Sequence, residues 1–207
     1  MKGSIHSRFA LYYIKNILSI PLSMSGHSHF KTVKRTKELG DAQKSRLFSR
    51  FANELTVSAR TGGGDLNGNP RLRVVVEKAR EARMPSDNIE RAIKRGTGEL
   101  KGSQLEELLC EAYGPGGFAI LIVGITDSRN RTLGEIKQIL SRHNAKLVGE
   151  GGVRWMFDRQ EGEWISKPEM EIAISEQDQK AAEQLFVALE ENDAIQKVYS
   201  NLKEPTA

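Results

Sequence analysis

Apolar residues return every three or four positions through most of the first half of this chain, then give way to short apolar runs punctuated by glycine. Leu47, Phe48, Phe51, Ala52, Leu55 and Ala59 trace one stripe, which predicts an amphipathic helix. Asp41 would cap its start, and Gly62, Gly63 and Gly64 would end it. Two further helices are predicted between Asn69 and Gly96. Asn69 can accept from the free amides of a helix start, and Pro70 is tolerated at the first helical position. Leu72, Val75, Val76 and Ala79 then form an inward stripe. Pro85, Ser86 and Asp87 precede a shorter helix with Ile89, Ala92 and Ile93 inward, which Gly96 closes. Together these make a small three- or four-helix unit.

The second half reads differently. Leu105 to Tyr113 and Phe118 to Thr126 are predicted strands, the latter a continuous apolar run of the buried kind. Gly114 to Gly117 makes the turn between them. Thr132 to His143 should be a helix with Leu133, Ile136, Ile139 and Leu140 inward. Strands are then expected at Val153 to Phe157, Glu169 to Ile174 and Ile195 to Tyr199. A helix over Gln177 to Asn192, with Ala181, Leu185 and Leu189 on one side, completes a two-layer α/β sandwich. The fold class is α+β.

With 207 residues, of which 38% are hydrophobic and 28% charged, the chain can bury two small cores and still carry extensions. Its formal charge of +4 conceals an asymmetry. Residues 25–98 hold 16 Lys/Arg against 8 Asp/Glu, whereas residues 99–207 hold 12 against 19. A basic unit joined to an acidic one suggests a polyanionic partner for the first; the second would set orientation or meet a protein. Residues 1–24 contain Lys2, Arg8 and Lys15 among Phe9, Leu11, Tyr12, Tyr13, Ile14, Ile17 and Leu18, and the first acid in the chain is Glu38. A basic, serine-containing, acid-free, amphipathic start is the signature of an organelle transit peptide; a secretory signal is the rival, since Ile14 to Leu22 is fairly apolar, but Lys15 interrupts it and a chain with one cysteine gives secretion no support. The expected plan is therefore a mitochondrial address over 1–24, a helical basic domain over 25–98 and an α/β domain over 99–207, with the mature protein in the matrix. No apolar run approaches the length of a membrane span.

The candidate chemistry is electrostatic. Lys31, Lys34 and Arg35 share one side if their segment is helical. Lys44, Arg71 and Arg73 lie off the apolar stripes, and Arg91, Lys94 and Arg95 crowd a last turn, where cations suit the helix dipole. These nine are the candidate nucleic-acid contacts, each to phosphate rather than to a base edge. Catalytic, cofactor and metal residues are not expected. Gly62 to Gly64 lacks the Gly-Lys-Ser/Thr of a phosphate loop. His27 and His29 have no third ligand nearby, and no Ser, His and acid arrangement presents itself. Cys110, the single cysteine, lies in an apolar run as a structural thiol would. Asp127, Arg129, Asn130 and Arg131 admit two readings, a phosphate contact or an ion-paired helix start. Trp155 and Trp164 are expected to pack in the core or at an edge.

Residues Gly26 to Gly98 resemble the first domain of the YebC family, which includes a mitochondrial translational activator. The matching pieces are Gly26-His27-Ser28, Asp41 to Phe48, Gly62-Gly63-Gly64-Asp65, Asn69-Pro70-Arg71-Leu72-Arg73 and Ile93-Lys94-Arg95-Gly96. The likeness continues through Tyr113-Gly114-Pro115-Gly116-Gly117, Asp127 to Thr132 and Gly149 to Phe157. At His29-Phe30 the family more often has Lys-Trp. The resemblance implies a ferredoxin-like α/β domain and a non-enzymatic regulator of mitochondrial translation that binds ribosomal or messenger RNA, without a small-molecule substrate. The alternative it carries is a DNA-binding transcriptional regulator. It also implies a third α/β lobe between the segments matching Val153 to Phe157 and Glu169 to Tyr199. Only about a dozen residues stand there, so that lobe is expected to be missing.

Overall fold

A computed structural model describes residues 40–160 and 162–203. The helical unit begins with α1, Asp41–Gly62. Asp41 does not cap it. Gly40 occupies the cap without a side-chain bond, and Asp41 is the first helical residue, where its charge still suits the N-terminal dipole. The helix ends as predicted: Gly63 takes φ 82, and its N–H donates to the Ala59 carbonyl. Helix α2, Pro70–Glu81, starts on Asn69, whose Oδ1 accepts from the Leu72 amide at 3.0 Å. The same side chain donates to the Ser58 and Gly63 carbonyls at 2.9 and 2.8 Å. One buried residue therefore caps α2 and fastens it to the end of α1.

Helix α3, Ser86–Thr97, crosses α1 closely. A Cβ on Gly96 would meet the Thr56 carbonyl oxygen well inside van der Waals contact and lie 2.7 Å from Ala59 Cβ. Thr56 Oγ1 in turn donates to the Ala92 carbonyl at 3.0 Å. Phe51, Leu55, Leu72, Val75, Val76, Ala79, Met84 and Ile89 fill the core between the three helices. Burying each such aliphatic side chain contributes about 1.5–3 kcal/mol.

The α/β unit has a four-stranded antiparallel sheet in the order β3-β1-β2-β6, built from β1 (Glu106–Tyr113), β2 (Ala119–Thr126), β3 (Lys146–Val148) and β6 (Ile195–Ser200). Helices α4, Arg129–Arg142, and α5, Glu176–Glu190, cover one face. This keeps the two helices against an antiparallel sheet that a ferredoxin-like arrangement implies, although the chain enters on the β1–β2 hairpin. Alternation sorts the side chains. Leu108, Cys110, Ala112, Ile120 and Ile122 face the helices, while Leu109, Tyr113, Ala119, Leu121 and Val123 face a second apolar layer. That second layer accounts for the uninterrupted apolar run of β2. Its cover is residues 148–157 and a separate hairpin, β4 (Phe157–Gln160) with β5 (Glu163–Ser166).

Several elements depart from the sequence expectation. Of the strand expected at Val153 to Phe157 only Phe157 is extended, as the first residue of β4; Val153 to Met156 is a loop with a short 3-10 turn at Arg154–Met156, because the Val153 and Arg154 amides serve a buried carboxylate instead of a strand partner. Glu169 to Ile174 opens with a 3-10 turn, Pro168–Met170; its strand pairing is an isolated bridge between Ile172 and Leu202, while Ile172 and Ile174 pack against the core. Pro168 suits the start of that turn. Strands β3 and β5 were not predicted, nor was β4 beyond Phe157. On α5 the buried alanine is Ala182, with Ala181 half-buried. Where the family resemblance implies a lobe, the described residues hold only the β4–β5 hairpin and the turn that follows it.

The two units touch through charged groups. Arg50 of α1 donates to the Glu190 carbonyl at 2.5 Å, and Arg71 of α2 pairs with Glu107 of β1.

Candidate nucleic-acid interface

Helix α3 buries Ile89 and Ala92. At 3.6 residues per turn its outer face then gathers Arg91, Lys94 and Arg95 within about 100° of one another. All three are exposed. Arg91 and Arg95, one turn apart, lean toward α1 and line a groove of about 270 Å³ between the two helices. Phe48, Ala52, Met84 and Ala92 form its apolar floor, and Ser45, Ser49 and Asn88 add polar groups. The methylene stem of Arg95 lies against Gly102, where a Cβ would sit 3.6 Å from it.

Helix α2 divides its cations. Arg73 and Arg80 stand seven residues apart on one flank, and Arg71 and Lys78 share the other, since seven residues is nearly two turns. The second flank faces the α/β unit. Arg71 pairs with Glu107; Glu163 on β5, which burial would raise, is held below the ordinary carboxylate value by hydrogen bonds from Lys197 and Tyr199, with Lys78 adding a smaller attraction. The Arg71 pair is about half exposed on both sides, 46% and 52%. Such pairs are worth at most about 1 kcal/mol, so Arg71 is loosely held. Among the described residues, Lys44, Arg73, Arg91, Lys94 and Arg95 take part in no salt bridge. Lys44 is half-buried on α1. Lys31, Lys34 and Arg35 lie outside the described residues, as do His27 and His29.

The structure thus brings together Arg91, Lys94 and Arg95, and it sets Arg71 apart from Arg73. Sequence reasoning missed the groove. Its signal was present in Ser45 and Ser49 at i, i+4, and in Asn88, Arg91 and Arg95 at i, i+3, i+7, but it becomes legible only when two helices are laid side by side.

Elsewhere the chemistry is structural. Arg131 bonds Asp127 at 2.5 Å and lies 3.8 Å from Glu135, which favours the ion-paired helix start over a phosphate contact. Burial pushes the Cys110 thiol up to about 11, so it stays protonated at neutral pH. Trp164 packs in the second apolar layer as expected. Trp155 does not: it is 52% exposed, and its indole N–H donates to the Gly152 carbonyl at 3.2 Å. Among the described residues no group of three or more His, Cys, Asp or Glu could hold a metal ion. No described helix is long and apolar enough to cross a membrane.

Among the described residues a helical unit is joined to an α/β unit, and Arg91, Lys94 and Arg95 cluster on one helix without salt-bridge partners. Residues 28–99 match the TACO1/YebC protein N-terminal domain, and residues 105–162 match the TACO1/YebC second and third domain. The chain belongs to the TACO1/YebC family. Similar proteins include a probable transcriptional regulatory protein of Chloroherpeton thalassium, 49% identical over 144 residues, 70% of this chain and 58% of the relative. A protein of the same description from Geobacter sulfurreducens is 50% identical over 136 residues, 66% of this chain and 55% of its own length. The chain therefore spans less than two thirds of these relatives. The crystal structure of a conserved hypothetical protein from Aquifex aeolicus superposes with a TM-score of 0.75 at 31% identity, covering 87% of this chain and 98% of that one.

Proposed function

We propose that this protein is a non-enzymatic regulator of mitochondrial translation that grips RNA, ribosomal or messenger, through its helical unit. The observation that carries the reading is the outer face of α3, where Arg91, Lys94 and Arg95 stand exposed and without carboxylate partners among the described residues. Cations so placed neutralise backbone phosphates and release counterions. Arg73 and the loosely paired Arg71 would extend the footprint onto α2. The acid-free first 37 residues support an organelle address, and the family resemblance supports translation as the process.

The second reading, a DNA-binding transcriptional regulator, is favoured by the description of the bacterial relatives as probable transcriptional regulatory proteins. Binding measured across a salt series tests both. Replacing Arg91, Lys94 and Arg95 by Ala should weaken RNA binding and lower the salt slope by about 0.7 units per lost contact on a single strand. Unchanged affinity and slope would reject this face. Stronger binding by the wild type to duplex DNA than to RNA would favour the transcriptional reading.

A further inference from the structure

We infer that the groove between α1 and α3 seats one unpaired nucleotide, its base on the apolar floor and its phosphate on Arg91 and Arg95. The inference rests on the nucleic-acid reading above and gives that site a preference for single strands. A surface that bound phosphate alone would need only cations. This one places them at the rim of a depression floored by Phe48, Ala52 and Met84. The half-buried Phe48 ring offers a stacking surface that any base can use, because every base has a π-face. Asn88 can both donate and accept, as can the Ser49 hydroxyl on the opposite wall, so the edges of different bases can be met without strict selection.

Size narrows the occupant. At about 270 Å³ the groove lies just below the roughly 300 Å³ where pockets for small molecules begin, which suits one ring system. A base within a duplex is stacked on both faces and cannot enter. Charge argues against the chain's own leader as the occupant: residues 25–37 contain Lys31, Lys34, Arg35 and Lys37 and no acid. A polyanion complements this rim, whereas a basic peptide opposes it.

The full chain carrying Ser49→Trp tests the assignment, since Ser49 is exposed and the indole would fill the groove without removing a cation. Anisotropy with a labelled single-stranded oligouridylate should show about tenfold weaker binding with an unchanged salt slope. Binding to a blunt RNA duplex should stay as in the wild type. Phe48→Leu, which keeps the core apolar, should give a smaller loss confined to the single strand. An unaltered single-strand affinity, or an equal loss on both probes, overturns the groove. The Arg91, Lys94 and Arg95 triple variant separates the two levels of the reading. If it weakens both probes while Ser49→Trp is silent, the groove alone falls. If the triple variant is also silent, the nucleic-acid reading of this face falls with it.

Discussion

Glu111 lies on the side of β1 that faces the second apolar layer, and it is 3% exposed. Its carboxylate accepts from the amides of Gly151, Val153 and Arg154, each at 2.8 Å. Burial by itself would raise its pKa, but the three amide donors and the nearby Arg154 guanidinium reverse this and hold it below the ordinary carboxylate value. The group therefore stabilises the fold fully above the unfolded pKa of about 4.3, and that contribution is lost as pH falls through the lower folded value. Glu111→Gln should cost about 1–3 kcal/mol in urea unfolding at pH 7, because at least one amide loses its acceptor. It should also flatten the acid limb of the stability curve. Parallel loss in variant and wild type as the pH is lowered through the carboxylate range would show that Glu111 is not its source. This residue was not legible in the sequence. Alternation tells which face a strand residue shares, but not that a loop some 40 residues later folds around it. Trp155 was misread for the same reason, since that loop displays it at the surface instead of burying it.

All five helices were legible because their determinants are local, a 3.6-residue apolar period and Asn69 before Pro70, but their ends were less so: Gly96 lies inside α3, which Gly98 ends in the left-handed region, and α4 begins at Arg129 instead of Thr132. The short strands were not. Strand β3 has three residues, and β5 owes its existence to pairing with β4 and packing of Trp164 beneath the sheet. Neither leaves a periodic trace long enough to read. What no single-helix pattern could disclose is the spacing between α1 and α3, which Gly96 sets. Gly96→Ala should cost about 1–3 kcal/mol by forcing the Thr56 carbonyl away. Thermal unfolding gives the check: a lowered melting temperature is expected, and an unchanged one would mean that the crossing relaxes freely. Because the groove lies along the same crossing, the substitution should also weaken single-strand binding more than duplex binding.

Across the whole molecule, the division of charge between a basic and an acidic half was visible in composition, but the use of some cations at the junction was not. Arg50 and Arg71 turn toward the α/β unit, where they meet the Glu190 carbonyl and the Glu107 carboxylate. Those contacts tie the two units and leave the α3 cluster outside them. At this scale the proposed address is also testable. Removing residues 2–24 should leave the urea midpoint of the remaining chain unchanged and abolish uptake by isolated mitochondria, whereas continued uptake would refute a transit role. The β4–β5 hairpin has its own consequence. Its base is registered by the pairs Phe157–Ser166 and Asp158–Ile165, while Gln160 and Gly162 at the tip are exposed, with Gly162 at φ +85. Extra chain spliced into that tip would leave both anchors and both apolar layers untouched. The hairpin is thus a seam along which a whole appendage can be grafted or shed while the underlying body keeps its shape.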